Sequence, residues 1–149
     1  MPNFNRIREF PFMLLSSIML LLAASGEPSD LEKLQGKWVL AAIQIHDRKE
    51  SNVLVDDFSK NSVLTISGNN GIIKKGDVVI YDFTITLEPT KNPKWYNSTG
   101  KNGIMRQGIY KIKNNKLYLC ISSEGKPRPT EFMPKVDEYL SQYIRLKDH

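Results

Sequence analysis

The stretch that decides the fold runs from Ile109 to Ile121 and reads IYKIKNNKLYLCI. Asn114 and Asn115 stand there between two runs of alternating aliphatic, aromatic and charged residues. Asparagine tolerates left-handed backbone geometry, so the pair predicts a two-residue type I′ turn joining two antiparallel strands. Such a turn fixes the register: Lys113 faces Lys116, Ile112 faces Leu117, Tyr110 faces Leu119 and Gly108 faces Ile121. Tyr110, Ile112, Leu117, Leu119 and Ile121 then share one apolar face, the inner wall of a sheet. The opposite face holds Ile109, Lys111, Tyr118 and Cys120 and is expected to be only partly covered.

Upstream, VVIYDFTITLE (residues 78–88) places Val79, Tyr81, Phe83, Ile85 and Leu87 on one face, while the other becomes polar from Asp82 to Glu88. At about 3.3 Å per residue this run reaches on the order of 30 Å, the length of a barrel stave. Pro89 ends it, because proline cannot donate to the ladder. Further upstream the cluster Gly68-Asn69-Asn70-Gly71 reverses the chain between Val63–Ser67 and Ile72–Lys75, and Gly76-Asp77 turns it into the long strand. From Gly36 onward, extended runs broken about every eight to twelve residues predict an all-β chain. Consecutive strands joined by short turns favour a meander, and about eight such strands close into an up-and-down barrel without exposed edges.

Before Gly36 the chain changes character. Ser29 followed three positions later by Glu32 has capping-box spacing and predicts a short helical turn that places Leu31 and Leu34 on one face. Earlier still, Arg6 and Arg8 precede an uncharged apolar run from Pro11 to Ala24, followed by small residues and then by polar Glu27, Pro28, Ser29 and Asp30. A membrane span needs roughly 18 or more apolar residues, and this run is shorter. Residues 1–26 are therefore expected to be a signal-peptide helix that is cleaved, with an uncleaved anchor as the alternative. Residues 27–149 form one domain, able to bury a core and too small to divide. The resulting expectation is a secreted or periplasmic protein whose mature form has no membrane span.

The formal net charge of +5 comes from lysines scattered along strands and loops, which reads as solvated faces before it reads as a polyanion site. Cys120 is the single cysteine, so no disulfide forms within the chain and stability rests on the core. Its place inside LYLCIS favours packing over reactivity.

One tripeptide, Gly36-Lys37-Trp38, opens the first strand directly after the helical turn. A Gly-x-Trp at that place resembles the signature of lipocalin-like and related calycin barrels. The resemblance implies a tryptophan that closes the barrel floor and stacks against a basic residue near the end of the last strand. The matching position here is Arg145, within QYIRLKD. The alternation sets an opposing expectation, because Arg145 faces away from the interior if Ile144 and Leu146 face in.

Further segments are similar to the lipocalin-like domain of uncharacterised secreted planctomycete proteins. They are Leu34-Gln35-Gly36-x-Trp38, Leu87-x-Pro89-Thr90-Lys91-x-Pro93-Lys94, Gly108-Ile109-Tyr110, Leu117-x-Leu119-Cys120 and Gly125-Lys126-Pro127-Arg128-Pro129-Thr130-Glu131-Phe132. They span most of residues 27–149 in order. The resemblance implies a lipocalin-like fold and no established activity, and it assigns Cys120 a packing role.

Two loops invite a functional reading. In GKPRPTEF two prolines stiffen a connection in which Arg128 pairs with Glu131 and Phe132 plugs the core; the segment is either a rigid joint or a lip of the barrel mouth. In KNPKWYNSTGKNG, Trp95 is expected either to be buried by a short strand or to stand at the mouth as a contact.

No catalytic constellation is present. The two histidines, His46 and His149, give no cluster with metal-ligand spacing, and no serine lies in a nucleophile motif. Asp56 and Asp57 are the only close carboxylate pair and read as the start of a helical turn. The expectation is a protein that is not an enzyme and has no cofactor. The leading reading is a binding module holding a small apolar or amphipathic ligand in the barrel, lined by Trp38, Tyr81, Phe83, Ile85, Tyr110 and Leu119. The competing reading is a solid-core barrel whose loops contact another exported protein or the cell envelope. An OB-type barrel binding nucleic acid through lysines and Trp95 conflicts with the export signal.

Overall fold

The structure is a computed structural model that describes residues 26–46, 51–53 and 61–147. The expected signal peptide, the pair Asp56 and Asp57, and His149 lie outside the described residues, apart from Gly26 at the end of the first.

Among the described residues, the helix α1 (Asp30–Leu34) is followed by nine antiparallel strands: β1 (Gly36–His46), β2 (Ser51–Val53), β3 (Val63–Ser67), β4 (Asn70–Lys75), β5 (Val78–Glu88), β6 (Lys94–Gly100), β7 (Met105–Lys113), β8 (Lys116–Ser122) and β9 (Glu138–Arg145). Neighbours pair in the order β1-β3-β4-β5-β6-β7-β8-β9, and β9 returns to β1. β2 pairs with Gln44–His46 at the far end of β1 and, among the described residues, with no other strand. The wall is therefore a closed, eight-stranded, up-and-down barrel, the lipocalin-like architecture expected from the turn chemistry.

The β7–β8 register is the one that the Asn-Asn turn dictates, from Lys113 opposite Lys116 to Gly108 opposite Ile121. Both asparagines are left-handed, with φ of 52° and 59°, as a type I′ turn requires. The β3–β4 reversal is tighter than the four-residue cluster suggested. Ser67 pairs with Asn70, so only Gly68 and Asn69 form the turn and the strand resumes at Asn70.

Two β-bulges set which residues face inward. The first shifts the pairing between Leu40 and Ala42, so that Trp38 and Leu40 face inward before it and Ile43 and Ile45 after it. The second, opposite Ile73 and Lys74, inserts Ile80 into β5. Val79 is consequently 52% exposed and Val78 66% exposed. This corrects the alternation read from the sequence, which holds only from Tyr81 to Leu87.

The interior is a continuous apolar cluster built on Trp38, Leu40, Leu64, Phe83, Tyr96, Tyr110, Leu117, Leu119 and Tyr143. Gly71 makes room for one of its rings, since a Cβ there would stand 2.5 Å from Phe83 Cζ.

The outer face of β7–β8 is better covered than expected, with Ile109 and Cys120 both at 0% exposure. The segment between β8 and β9 lies over β6–β8 as a strap, with Pro129 and Pro134 buried. Arg128 fastens it, but not to Glu131. Its Nη1 donates to Tyr96 O (2.9 Å) and Gly108 O (2.6 Å), and its Nη2 donates to Asn97 Oδ1 and Gln107 Oε1. Glu131 pairs instead with Lys135. Phe132 is no plug: its ring is half-buried on the outer surface, with Lys111 Nζ 4.5 Å from its centre. Trp95 does lie in a short strand, yet it too faces outward, half-buried between Lys91 and Arg128. Tyr96 is its inward neighbour.

Candidate functional site

Strand directions give the barrel two unlike ends. At one end lie α1, the β3–β4 turn and the Asn114-Asn115 turn. At the other lie the ends of β1 and β8, the starts of β5, β7 and β9, and the root of the strap.

The first end is a closed floor. Its capping box is complete: Glu32 N donates to Ser29 Oγ, and Ser29 N donates to Glu32 Oε2. This starts a single helical turn that ends by placing Leu34 beneath the barrel at 1% exposure. Trp38 is fully buried; its Nε1 donates to Leu34 O at 2.9 Å. Arg145 pairs across the sheet with Trp38 and lays its guanidinium 4.1 Å from the ring centre. It also donates to Gln35 O at 2.8 Å and to Lys33 O. Ile144 and Leu146 face outward, 41% and 39% exposed, so the alternation that turned Arg145 away is overturned. Gln35 ties the helix end to the β3–β4 turn through reciprocal bonds with Gly68. Asp30 accepts from Tyr110 Oη at 2.6 Å and from Lys94 Nζ at 2.7 Å. Burial raises the Asp30 pKa, but these two donors outweigh it and hold the carboxyl below its ordinary value. For Tyr110, burial and the bond to Asp30 both push the phenol well above its usual range.

The expected ligand-lining residues are brought together, but around packed side chains. Trp38, Tyr110, Phe83, Ile85 and Leu119 are between 0% and 4% exposed. A hollow wide enough for a ligand would leave accessible surface on its walls, and these walls have almost none. Only Tyr81 is partly exposed, and it stands nearest the other end.

That other end is not closed by any of the described residues. A hollow of about 540 Å3 is lined by Ile43, Ile45, His46, Ser123, Val136, Asp137, Glu138 and Tyr139. Ile43, Ile45 and Tyr139 belong to the inward faces of β1 and β9, where Ile43 pairs with Ser141 and Ile45 with Tyr139. Val136 and Asp137 come from the end of the strap and Glu138 from the start of β9. The hollow is thus the barrel mouth, apolar on its inner wall and polar on its rim.

Below and beside it the interior turns polar. Ser98 and Ser141 are buried among Tyr81, Tyr96, Tyr139 and Tyr143. Desolvation drives the phenols of Tyr96, Tyr139 and Tyr143 upward, so all three stay protonated donors at neutral pH. Arg106 pairs with Ser98 and shares its inward face; its guanidinium lies 5.2 Å from the centre of the Tyr81 ring. The Tyr81 hydroxyl is buried and has no hydrogen-bond partner among the described residues. An unmet buried hydroxyl costs on the order of 1–3 kcal/mol, so its position calls for an explanation.

Arg106, Ile43 and Tyr139 were not singled out from the sequence. A signal for Arg106 was present, since the face set by Ile112, Tyr110 and Gly108 reaches Arg106 one step earlier. Tyr139 alternates in the same way with Tyr143.

Among the described residues no group of three or more His, Cys, Asp or Glu side chains is arranged to hold a metal ion, and no helix is long and apolar enough to cross a membrane. No protein-family model matches this chain, and no curated protein matches it.

Proposed function

We propose that this protein is an exported binding module that takes a small amphipathic molecule at the mouth of its barrel. One observation supports this reading above the others: the interior is packed from the floor to its middle, whereas the mouth keeps a hollow of about 540 Å3 with an apolar wall and a polar rim. Sites of a few hundred Å3 lined by apolar side chains with a few placed polar groups suit small molecules. Ile43, Ile45, Val136 and Tyr139 would desolvate the apolar part of the guest. Export is read from Arg6, Arg8 and the apolar run that follows, and kinship with the secreted planctomycete domain from the Gly36-x-Trp38 segment and its companions.

The experiment is a titration of the mature chain with 1-anilinonaphthalene-8-sulfonate. A saturable rise in fluorescence is expected, lost in an Ile45→Lys, Val136→Lys double variant that unfolds at the same urea concentration. Ile45 is 43% exposed and Val136 50% exposed, so neither change disturbs the core. Absence of saturable binding, or binding that the double variant retains, would overturn the mouth reading.

A second reading has its own support, because a solid interior suits a barrel that acts through its surface. Val78, Val79 and Met105 add exposed apolar side chains around the same end, at 66%, 52% and 57%. Contact with another exported protein or with the envelope would then engage this rim. Cross-linking in the native cell from cysteines placed at residues 78 and 105 tests it; adduct formation at these positions and not at residue 144, near the floor, is the expected result.

A further inference from the structure

We infer that the barrel mouth selects amphipathic molecules with an anionic head, a carboxylate or a phosphate, which Arg106 and the hydroxyl of Tyr81 receive. The inference rests on the mouth-binding reading above and adds the chemical class of the guest. Three observations carry it.

The first is the state of Arg106. Arg128 and Arg145 commit their guanidiniums to backbone and side-chain oxygens. Arg106 faces into the barrel beside buried Ser98 and, among the described residues, takes part in no ion pair; its only contact of note is the face of Tyr81. A half-buried guanidinium without an acceptor has its planar fork free for an oxyanion.

The second is the Tyr81 hydroxyl, a buried donor with no partner among the described residues. It lies where β6 brings Gly100 close: a Cβ at that glycine would stand 2.9 Å from Tyr81 Oη. Asn102 Oδ1 would stand 2.6 Å from the same point but accepts from Ile104 N, and the Tyr81 hydroxyl keeps its proton for an entering group.

The third is the link to the hollow. Arg106 is the second residue of β7, a strand that starts at the mouth, and it faces inward at the same end as Ile43, Ile45 and Tyr139 of the hollow's lining; Tyr81 and Tyr139 pack against the same interior cluster. Among the described residues, the two carboxylates that line the hollow are engaged elsewhere: Asp137 pairs with Lys126 at 3.3 Å, and Glu138 accepts from Lys135 N at 2.8 Å. They do not neutralise Arg106. An ammonium head would meet an unpaired cation, a hydroxyl head would gain one hydrogen bond, and an anionic head would gain both donors away from bulk water.

The test compares four probes of one chain length below their micelle concentrations: dodecanoate, dodecyl phosphate, dodecanol and dodecyltrimethylammonium, each measured by displacement of 1-anilinonaphthalene-8-sulfonate. At least one anionic probe is expected to bind about tenfold or more tighter than dodecanol, and the ratio of dodecanoate to dodecyl phosphate tells which head the site prefers. Arg106→Gln should bring the anionic probes down to the level of dodecanol, and Tyr81→Phe should weaken them several-fold with little effect on dodecanol. Equal binding of dodecanol and both anions, or an Arg106→Gln protein that keeps the preference, overturns the inference and leaves mouth binding intact. If all four probes fail to bind, the mouth reading and the inference fall together. Should Arg106→Gln not fold, the wild-type selectivity and an Arg106→Lys variant, expected to keep part of the preference, decide the matter.

Discussion

Arg145 and Trp38 face each other across the β1–β9 seam, with the guanidinium 4.1 Å from the indole centre. This one contact closes the barrel twice, once as a sheet and once as a floor. The stacking contributes on the order of 1 kcal/mol, and more where it is desolvated. The same guanidinium also satisfies Lys33 O in the helical turn and Gln35 O at its C-cap. Arg145→Ala should therefore lower the stability by about 2–4 kcal/mol. Arg145→Lys should recover less than half of that, because an ammonium lacks the fork that reaches both carbonyls. Urea denaturation followed by Trp38 fluorescence measures both; an Arg145→Ala protein as stable as the parent would show that the seam closes without this contact.

Asp30 joins the helix to the barrel wall through Tyr110 and Lys94, and its carboxyl is held below the ordinary value. A carboxyl whose folded pKa lies below the unfolded one contributes stability above the unfolded pKa and loses it as pH falls through the folded one. Stability from this link should be full at neutral pH and fall as the solution is acidified below about pH 4. In Asp30→Asn that part of the acid dependence should vanish while stability at pH 7 drops by about 1–2 kcal/mol. Thermal midpoints of the two proteins between pH 2 and pH 7, an experimental range of roughly five units around the carboxylate value, make the comparison.

Gly71 has no side chain because Phe83 occupies the space. A Cβ would sit 2.5 Å from Cζ and 2.6 Å from Cε2 of a ring that is itself stacked on Tyr81 at 4.8 Å. Gly71→Ala should cost about 1–3 kcal/mol by overpacking. In a Phe83→Leu background, where the ring is gone, the same change should cost much less. The double-mutant cycle isolates the clash, and equal costs in the two backgrounds would place it elsewhere.

The thiol of Cys120 is fully buried on the outer face of β8, and burial, with help from the carboxylates of Glu138 and Glu131, pushes its pKa up to about 12. Thiolate is the reactive form. Native protein at pH 8 should react with iodoacetamide far more slowly than protein unfolded in urea. In Arg128→Ala, where the strap loses its four fastenings to β6 and β7, labelling should accelerate. Mass spectrometry of timed aliquots reads the rate, and rapid labelling of the native parent would mean that the strap does not seal this face.

Much of the fold was legible because it depends on local chemistry. Asn114 and Asn115 dictated the turn, and a two-residue turn leaves one register for the hairpin it joins. Ser29 and Glu32 announced the helix, and the meander followed from the spacing of the turns. The site was less legible. Trp38, Phe83, Ile85, Tyr110 and Leu119 do point inward, but alternation reports direction and not the space left between facing walls. Whether inward rings meet or leave a hollow depends on barrel radius and on packing between residues far apart in sequence.

By itself the sequence determined an all-β chain, a floor helix, the β7–β8 register and the inward faces of the regular strands, since turns, caps and period-two alternation act over a few residues. Only the tertiary structure decided the rest. The bulges near Ala41 and Ile80 reset which residues face in, Arg145 turned toward Trp38 although its apolar neighbours competed for the interior, and Arg128 left Glu131 for the carbonyls of β6 and β7. Each outcome is a choice between partners remote in the chain, made by closure of the sheet and by the cost of leaving buried polar groups without partners.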